Sequence, residues 1–422
     1  MTKKIDKELI LAFLAILPYL EGNLMQRLFD FNIGSDAYIK AIIVCMFFVI
    51  VVFKLLNFKN DIINMRAYNC ALMGFVLYSA FFAIYNSNTF PATLGVMLWA
   101  FVPIIYSITV NLFFVNNKLD GAKTLAYMTI YFACFVLVVV VYYTLFKGLF
   151  VDSSVRMKPR GGGAVIFGYT IALFFALALH LKEQFKPVIY YCILVILSIG
   201  ALGTKTRASV WPIILCWGVN FLLAKLDRKK MMAFICCLPV LIYASSLDYG
   251  SIFSSTEHVG WQRLFNLHSF RRFETLSNLL DLFQGQDSIK KAFGYGLGNF
   301  FPYQNWVMLV DNVDNNMIYV NGHQILVQPH NSFIYVLVET GMIGLLLFAI
   351  FFIIAIYRMI KGKKGKRITG LLFFGIMILV NCFDSVFFVQ PGVAGLYWLL
   401  ALLVIESTSY NNNSLDGLAT DG

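Results

Sequence analysis

Charged residues are scarce in this sequence, and their scarcity excludes a large soluble protein. Only 13% of the 422 residues are charged and 59% are hydrophobic, whereas soluble domains are about 25% charged and about 45–50% apolar. The apolar residues form runs long enough to cross a bilayer, which takes about 20 residues per helix. The composition therefore predicts a polytopic membrane protein, not the two soluble domains that length alone would favour.

Cysteines are missing from the longest hydrophilic stretch, 248–329, which excludes a disulfide framework there. No cluster of cysteine and histidine has metal-ligand spacing, and we predict neither a metal nor a cofactor. We interpret the thiols as small buried hydrophobes. All eight lie in apolar runs, at Cys45, Cys70, Cys134, Cys192, Cys216, Cys236, Cys237 and Cys382.

The apolar runs predict an all-α fold with about twelve transmembrane helices. The first begins with basic residues like a signal peptide, but no small-residue cleavage pattern follows, so we expect an uncleaved helix. The chain then divides into helices 1–9 at 1–247, an outer loop at 248–329, helices 10–12 at 330–407 and a disordered tail at 408–422. The approximate limits of the helices are 8–21, 38–57, 67–86, 91–115, 122–146, 162–181, 187–203, 208–224, 231–247, 332–357, 368–387 and 392–406.

Lysine and arginine are concentrated in alternate short loops, such as "KLDRKK" at 225–230 and "RMIKGKKGKR" at 358–367. The intervening stretch 87–90 has no charge at all. Because basic loops stay in the cytoplasm, both termini are predicted to be cytoplasmic. The net charge of +11 is mostly this topology signal and does not favour nucleic-acid binding.

Three outer segments stand apart from this pattern. Segment 147–160 is basic, 203–212 is a tight turn between two helices, and 248–329 alone is large enough to fold outside the membrane. That loop holds seven acidic and five basic residues. Because the loop is slightly acidic as a whole, an anion site within it must be local.

Two elements of the outer loop can be predicted. "RFETLSNLLDLF" at 272–283 has apolar residues at helical spacing and predicts an amphipathic helix. "FGYGLGNF" at 293–300 has glycines at G-x-G spacing, but a nucleotide-binding loop needs a preceding strand and a following helix. We therefore interpret it as a structural turn.

A single histidine marks the point where the loop re-enters the membrane, in "QPHNSF" at 328–333. The residue before Pro329 is restricted to extended backbone, and Asn331 or Ser332 can cap the following helix. The positive helix end disfavours imidazolium, so His330 is expected to be a neutral ring that can accept a proton. The alternative is a capping or interfacial histidine without chemistry. If the helix already includes His330, Gly341 lies on its stripe and lets a neighbouring helix approach.

This helix resembles the bacterial O-antigen ligases and the related O-antigen polymerases. The ligase pattern is a histidine, then Asn, Ser or Gln, nine residues, a glycine, two residues, and Gly, Thr or Tyr. His330, Asn331, Gly341 and Gly344 fit it without a gap. The resemblance covers roughly 200–348, and the N-terminal half resembles the family only in hydropathy.

Two arginines carry the resemblance further. "TKTRAS" matches the family's outer-turn motif with Arg207, and "RRFETLSNLLDLF" matches its loop helix with Arg272, or with Arg271 as the fallback. Without the resemblance, Arg207 would be interpreted as an interfacial residue that extends to the membrane surface. Arg271 and Arg272 would be surface charges on a helix.

The resemblance implies a metal-independent membrane glycosyltransferase of the GT-C type, working at the periplasmic face. Its donor would be an undecaprenyl-pyrophosphate-linked glycan, and its acceptor a lipid A-core sugar or a second lipid-linked glycan. Arg207 and Arg272 would hold the diphosphate, because guanidinium binds two oxygens at once and keeps its charge. His330 would deprotonate the acceptor hydroxyl. Further substrate contacts are expected from Arg271, Lys205, Asn331, Arg160 and Arg156, although attraction to anionic membrane lipids explains the basic residues among them nearly as well.

Three activities remain open at this point. A ligase would move the finished glycan to lipid A-core and is favoured slightly, since the histidine pattern takes the ligase form. A polymerase would use the same donor to lengthen a lipid-linked chain. A flippase for the same lipid would need polar, broken helices at the membrane midplane and a repeat between halves, and those signs are weak. Roles for Glu339, Asp384 and the glycines of 160–163 stay unassigned.

Overall fold

The computed structural model describes residues 6–28, 66–85, 103–116, 119–152, 155–157, 163–224, 270–296, 317–320, 323–326, 330–362, 364–383, 387 and 391–409. These residues form helices and one short antiparallel hairpin. The helices are α1 (Lys7–Leu28), α2 (Ala67–Tyr85), α3 (Pro103–Val115), α4 (Gly121–Lys147), α5 (Gly163–His180), α6 (Pro187–Thr204), α7 (Arg207–Ala224), α8 (Phe270–Gln284), α9 (Ser288–Phe293), α10 (Ser332–Lys361), α11 (Lys364–Phe383) and α12 (Pro391–Ser409). The hairpin pairs β1 (Met317–Val320) with β2 (His323–Leu326).

Five of the described helices, α2, α4, α5, α6 and α10, are long and apolar enough to cross a membrane. Helices α3, α7 and α12 contain shorter apolar stretches. Their apolar side chains include many that are exposed on the surface of the chain, as expected where lipid replaces water. The chain is a helical membrane protein, as the composition predicts.

Most predicted transmembrane limits agree with these helices to within a few residues. The first helix continues to Leu28, well past the predicted limit. Within 91–115, the described part is helical from Pro103 and ends in a π-helical turn at Asn111–Asn116. The predictions at 38–57 and 231–247 lie outside the described residues, so the total of twelve stays a prediction.

The chain forms two compact units. The first comprises Met1–Gly34, Ala122–His268 and Gly375–Met377, and the second comprises Ser35–Gly121, Ser269–Phe374 and Ile378–Gly422. The first unit therefore carries α1 and α4 to α7. The second unit carries α2, α3, α8, α9, the hairpin, α10 and α12, with most of α11.

Helix α5 is the centre of the first unit, and nearly all of its side chains are buried. It packs against both α6 and α7. Phe132 of α4 stacks on Phe174 of α5 with ring centroids 4.2 Å apart. At Gly200 a Cβ atom would collide with Val136 of α4, so this glycine permits α4 and α6 to pack closely.

Helix α10 is the centre of the second unit and packs against α2, α9 and α12. Its aromatic face joins rings from several elements. Phe348 lies 5.1 Å from Phe75 of α2 and 6.2 Å from Trp398 of α12, measured between ring centroids. Phe387 stacks on Trp398 at 4.1 Å. These large buried rings fix the middle of α10.

Candidate functional site

His330 lies immediately before the N-cap of α10, in left-handed backbone with φ of 49°. Asn331 is the cap, since its Oδ1 accepts hydrogen bonds from the backbone nitrogens of Phe333 at 2.9 Å and Ile334 at 3.0 Å. Of the two predicted caps, Asn331 is thus the one used. The imidazole is partly exposed. The histidine therefore lies just before the N-terminus of α10 and is not part of the helix.

The start of α10 is also tied to the end of α11. Asn331 Nδ2 donates a hydrogen bond of 2.9 Å to the Cys382 carbonyl oxygen. Ser332 Oγ donates one of 2.6 Å to Oδ1 of Asn381, and both side chains are buried. Asn331 therefore caps one helix and binds the backbone of another. These contacts hold the two residues that follow His330, and so they limit where the histidine can lie.

The predicted stripe of His330 and Gly341 on one helix is wrong. The helix starts at Ser332, after the histidine, and it is interrupted at Gly341, where φ is 68° and ψ is −172°. Only glycine adopts this conformation without steric cost. The N-terminal segment of α10, 332–340, is therefore a short helix with its own orientation. Gly344 does permit a close approach, because its Cβ would lie 3.1 Å from a ring carbon of Tyr78 in α2.

The glycine-rich turn after α9 docks on this interruption. The Gly296 backbone nitrogen donates to the Glu339 carbonyl at 2.6 Å, and the Tyr295 nitrogen donates to the Val338 carbonyl at 3.3 Å. Gly294 has φ of 73°, and a Cβ there would collide with the Glu339 backbone. Carbonyls released by the break thus find new donors, as buried backbone groups must. The described part of "FGYGLGNF" is a structural turn, as interpreted from the sequence.

Tyr78 contributes a further donor at the same interruption. Its hydroxyl donates a 3.0 Å hydrogen bond to the Thr340 carbonyl oxygen. The Glu339 side chain is fully buried beside this point. Tyr78 could not be identified from the sequence, because its partner is 262 positions away along the chain.

Helix α8 confirms the amphipathic helix predicted at 272–283. Leu279 and Leu282 are buried whereas Asp281 is exposed. The helix packs against β2 and α10. Arg271 and Arg272 lie in its first turn. The unit that carries His330 therefore also carries the loop helix that holds these two arginines.

Lys205 lies at the turn between α6 and α7, also in left-handed backbone, with φ of 49°. Its side chain is only 1% exposed, and Nζ donates a 2.7 Å hydrogen bond to the Asp152 carbonyl oxygen. Arg156 Nε donates to the Thr204 carbonyl at 3.2 Å. Burial lowers the pKa of the Lys205 ammonium and Arg156 adds to this shift, while Asp152 opposes it.

Three hydroxyl groups lie beneath the same turn. Oγ1 of Thr204 is 3.0 Å from Oγ1 of Thr206 and 2.8 Å from Oγ of Ser209, and the last two are 2.9 Å apart. A Cβ on Gly168 of α5 would lie 2.6 Å from Thr206 Oγ1, so α5 approaches this cluster closely. The motif "TKTRAS" thus supplies a rigid turn, whose hydroxyls are used internally. The closely spaced threonine and serine residues of this motif are the feature of the sequence that indicates the hydroxyl cluster.

Arg207 is the first residue of α7, directly after this turn, and its side chain is partly exposed. The first unit therefore brings Arg156, Lys205 and Arg207 to one turn. The second brings His330 and Asn331 to the start of α10. Arg160 and Asp384 lie outside the described residues, and convergence of all the predicted residues on one diphosphate stays a prediction. Within the described ranges, no three His, Cys, Asp or Glu side chains are grouped as a metal site needs.

A comparison of the sequence with protein-family models and with curated proteins finds no match. The likeness to the O-antigen ligases and polymerases therefore rests on the short motifs around Arg207, Arg272 and His330.

Proposed function

We propose that this protein is an O-antigen ligase-like glycosyltransferase of the bacterial inner membrane. It transfers a glycan from undecaprenyl pyrophosphate to a sugar hydroxyl of lipid A-core at the periplasmic face. Among the described residues, the only non-glycine residues with positive φ are Lys205 and His330. Both belong to the motifs that suggest this activity. Strained backbone of this kind is concentrated at functional sites, and this observation carries the proposal.

His330 acts as the general base in this proposal. Its imidazole takes the proton of the acceptor hydroxyl, whose oxygen forms the new bond to the anomeric carbon. The bond from that carbon to the diphosphate breaks, and undecaprenyl pyrophosphate leaves with the electron pair. The hydrogen bonds of Asn331 support this role, because they hold the backbone next to the histidine. A positioned base contributes about 10²–10⁴-fold in rate.

Arg207 and Arg272 bind the leaving diphosphate, whose charge increases as the bond breaks. The turn at Lys205 supports this role for Arg207. A buried, hydrogen-bonded lysine fixes the backbone two residues before the arginine. Each charge-assisted hydrogen bond to phosphate is about twice as strong as a neutral one.

The test supplies purified protein with undecaprenyl-pyrophosphate glycan, with or without lipid A-core. Product on the core is the expected result for a ligase. Lengthened lipid-linked chains would instead identify a polymerase. In a polymerase the same residues would bind the same donor and activate the acceptor. If neither forms but the donor crosses vesicle membranes, the protein is a transporter and the proposal is wrong.

Variants His330→Ala and Arg207→Ala should each reduce transfer at least about 100-fold while membrane insertion is unchanged. Matched controls are His323→Ala in β2 and Arg367→Ala in α11, which lose the same side-chain types elsewhere. The controls should keep nearly full activity. Near-normal transfer by both site variants would contradict the assigned roles.

A further inference from the structure

A second group of polar residues lies at the opposite end of α10 from His330. The starts of α2 and the ends of α10 and α12 meet there. Thr408 Oγ1 of α12 contacts Met359 Sδ of α10 at 3.6 Å, and a Cβ on Gly362 would collide with Thr408. We call Arg66, Tyr68, Asn69, Arg358 and Glu406 the end cluster. The basic loops assign this end to the cytoplasm.

Tyr68 and Glu406 form the buried core of the end cluster. The Tyr68 hydroxyl donates a 2.7 Å hydrogen bond to Glu406 Oε2, and the two residues are 0% and 4% exposed. Arg66 Nη2 lies 4.0 Å from Glu406 Oε1, and the Arg358 guanidinium carbon lies 5.7 Å from the Tyr68 ring centroid. Arg66 thus pairs with the carboxylate, Arg358 lies over the tyrosine ring, and the end cluster holds two guanidinium groups for one carboxylate. A positive charge remains in excess.

The end cluster also holds buried polar atoms that have no hydrogen-bond partner among the described residues. Within the part of the chain that the structure describes, Arg66 Nε and both amide atoms of Asn69 are buried without a hydrogen-bond partner. Arg66 and Asn69 are three positions apart and so share one face at the start of α2. Asn69 is 0% exposed. Buried polar groups in proteins almost always have partners, so this face is suited to a ligand that supplies acceptor oxygens and negative charge.

We propose that the end cluster binds the phosphodiester headgroup of an anionic phospholipid from the cytoplasmic leaflet. Arg66 and Arg358 bind the phosphate oxygens, and Asn69 donates to one of them. The start of α2 adds its positive helix end. Basic sites between transmembrane helices on the cytoplasmic side bind such headgroups. Attraction to the negative C-terminal end of α10 would explain why an arginine is found at position 358. It does not explain the buried atoms of Arg66 and Asn69 that have no partner among the described residues.

The first test measures phosphatidylglycerol binding to the full-length protein by native mass spectrometry. Arg66→Gln and Arg358→Gln should each weaken binding about fivefold, the share of one arginine near an anionic surface. The control is Arg367→Gln. It removes an exposed arginine near the start of α11, which directly follows the end of α10. The control should bind as the unmodified protein does. An equal loss in the control would show diffuse attraction and overturn the proposal.

A second test uses Asn69→Leu and does not depend on the folding of the arginine variants. Without lipid, the temperature of unfolding in detergent should be unchanged or higher, because the variant removes a buried amide that has no partner. Phosphatidylglycerol should raise that temperature in the unmodified protein but not in the variant. A variant that is less stable without lipid and keeps the full lipid-induced rise would show that Asn69 is purely structural, and would overturn the site.

The source of the phosphate is tested with the same measurement. Phosphatidylglycerol is compared with phosphatidylcholine, which is neutral overall, and with inorganic phosphate at millimolar concentration. Stabilisation by phosphatidylglycerol alone supports a headgroup site. If inorganic phosphate stabilises the protein equally, with the same dependence on Arg66 and Arg358, the ligand is a small anion and the lipid assignment is wrong.

Discussion

Left-handed backbone at His330 and Lys205 brings two side chains of different chemistry to helix ends. Lys205 follows the last turn of α6, and His330 precedes the cap of α10. A non-glycine residue in this conformation costs about 1–3 kcal/mol and persists when its surroundings hold it in place. At Lys205 the buried ammonium and its bond to Asp152 supply that restraint. At His330 the neighbouring Asn331 supplies it.

The pH dependence of stability should report the burial of Lys205. Because burial lowers its pKa below 10.5, the unfolded chain binds more protons than the folded chain between the lowered pKa and 10.5. The free energy of unfolding therefore rises with pH across that window. In the Lys205→Met variant the side chain cannot titrate. Loss of the hydrogen bond to the Asp152 carbonyl oxygen lowers the stability of the variant by an amount that does not depend on pH. Temperatures of unfolding measured between about pH 8 and about pH 11 should rise in the unmodified protein relative to the variant. A constant or falling difference would contradict the assigned burial.

Helix α10 acts as two helical segments, and its short first segment is positioned by other elements. The turn after α9 donates to the Val338 and Glu339 carbonyls, and Tyr78 of α2 donates to the Thr340 carbonyl. At the other end of the segment, Ser332 binds Asn381 of α11. Each contact joins a different element to the residues that follow His330. The position of the turn after α9 is thereby connected to the segment that follows the histidine.

Alanine at either docking glycine should disrupt this connection. Gly294→Ala and Gly341→Ala each force a side chain into left-handed backbone and against a neighbouring carbonyl. Each should cost at least about 1–3 kcal/mol, which denaturation in detergent can measure, and transfer should fall with it. The control Gly74→Ala, in α2 with no atom within 4 Å of its new Cβ, should leave both nearly unchanged. Unaltered stability in both docking variants would show that the turn does not hold the segment.

For the whole molecule, the distribution of charge predicts on which side of the membrane each end of α10 lies. The N-terminal end carries His330, and the last turn of the helix carries Arg358 and Lys361. The segment of α10 after Gly341, 342–361, is about 30 Å long at 1.5 Å per residue, enough to cross the hydrocarbon core. The two proposed sites would therefore face opposite leaflets.

Cysteine labelling in intact cells tests this orientation. In a cysteine-free background, Asn315→Cys in the outer loop should react with a membrane-impermeant maleimide from outside the inner membrane. Lys363→Cys, between α10 and α11, should react only after the membrane is permeabilised, because basic loops remain cytoplasmic. Protection of the first position together with labelling of the second would reverse the assigned topology.

Part of the candidate site could be predicted from short stretches of sequence. The N-cap of α10 and the amphipathic helix α8 depend on residues within a few positions, so local rules predicted helix α8 and narrowed the cap to Asn331 or Ser332. The break at Gly341 could not be predicted in this way. A glycine is compatible with a continuous helix, and its left-handed backbone is stabilised by donors from the α9 turn and from α2. The burial of Lys205 beside Asp152 likewise depends on residues 53 positions apart.

From the sequence alone it follows that this is a helical membrane protein, where most of its described helices begin and end, and that Asn331 or Ser332 caps α10. Hydropathy and local hydrogen bonding act over one or a few turns, so they can be interpreted directly from the chain. The three-dimensional contacts alone reveal that α10 is interrupted, that the glycine turn docks on the interruption, and that Tyr68 of α2 meets Glu406 and Arg358 at the far end. These features depend on contacts between segments distant along the chain, and a hydropathy pattern does not encode those pairings.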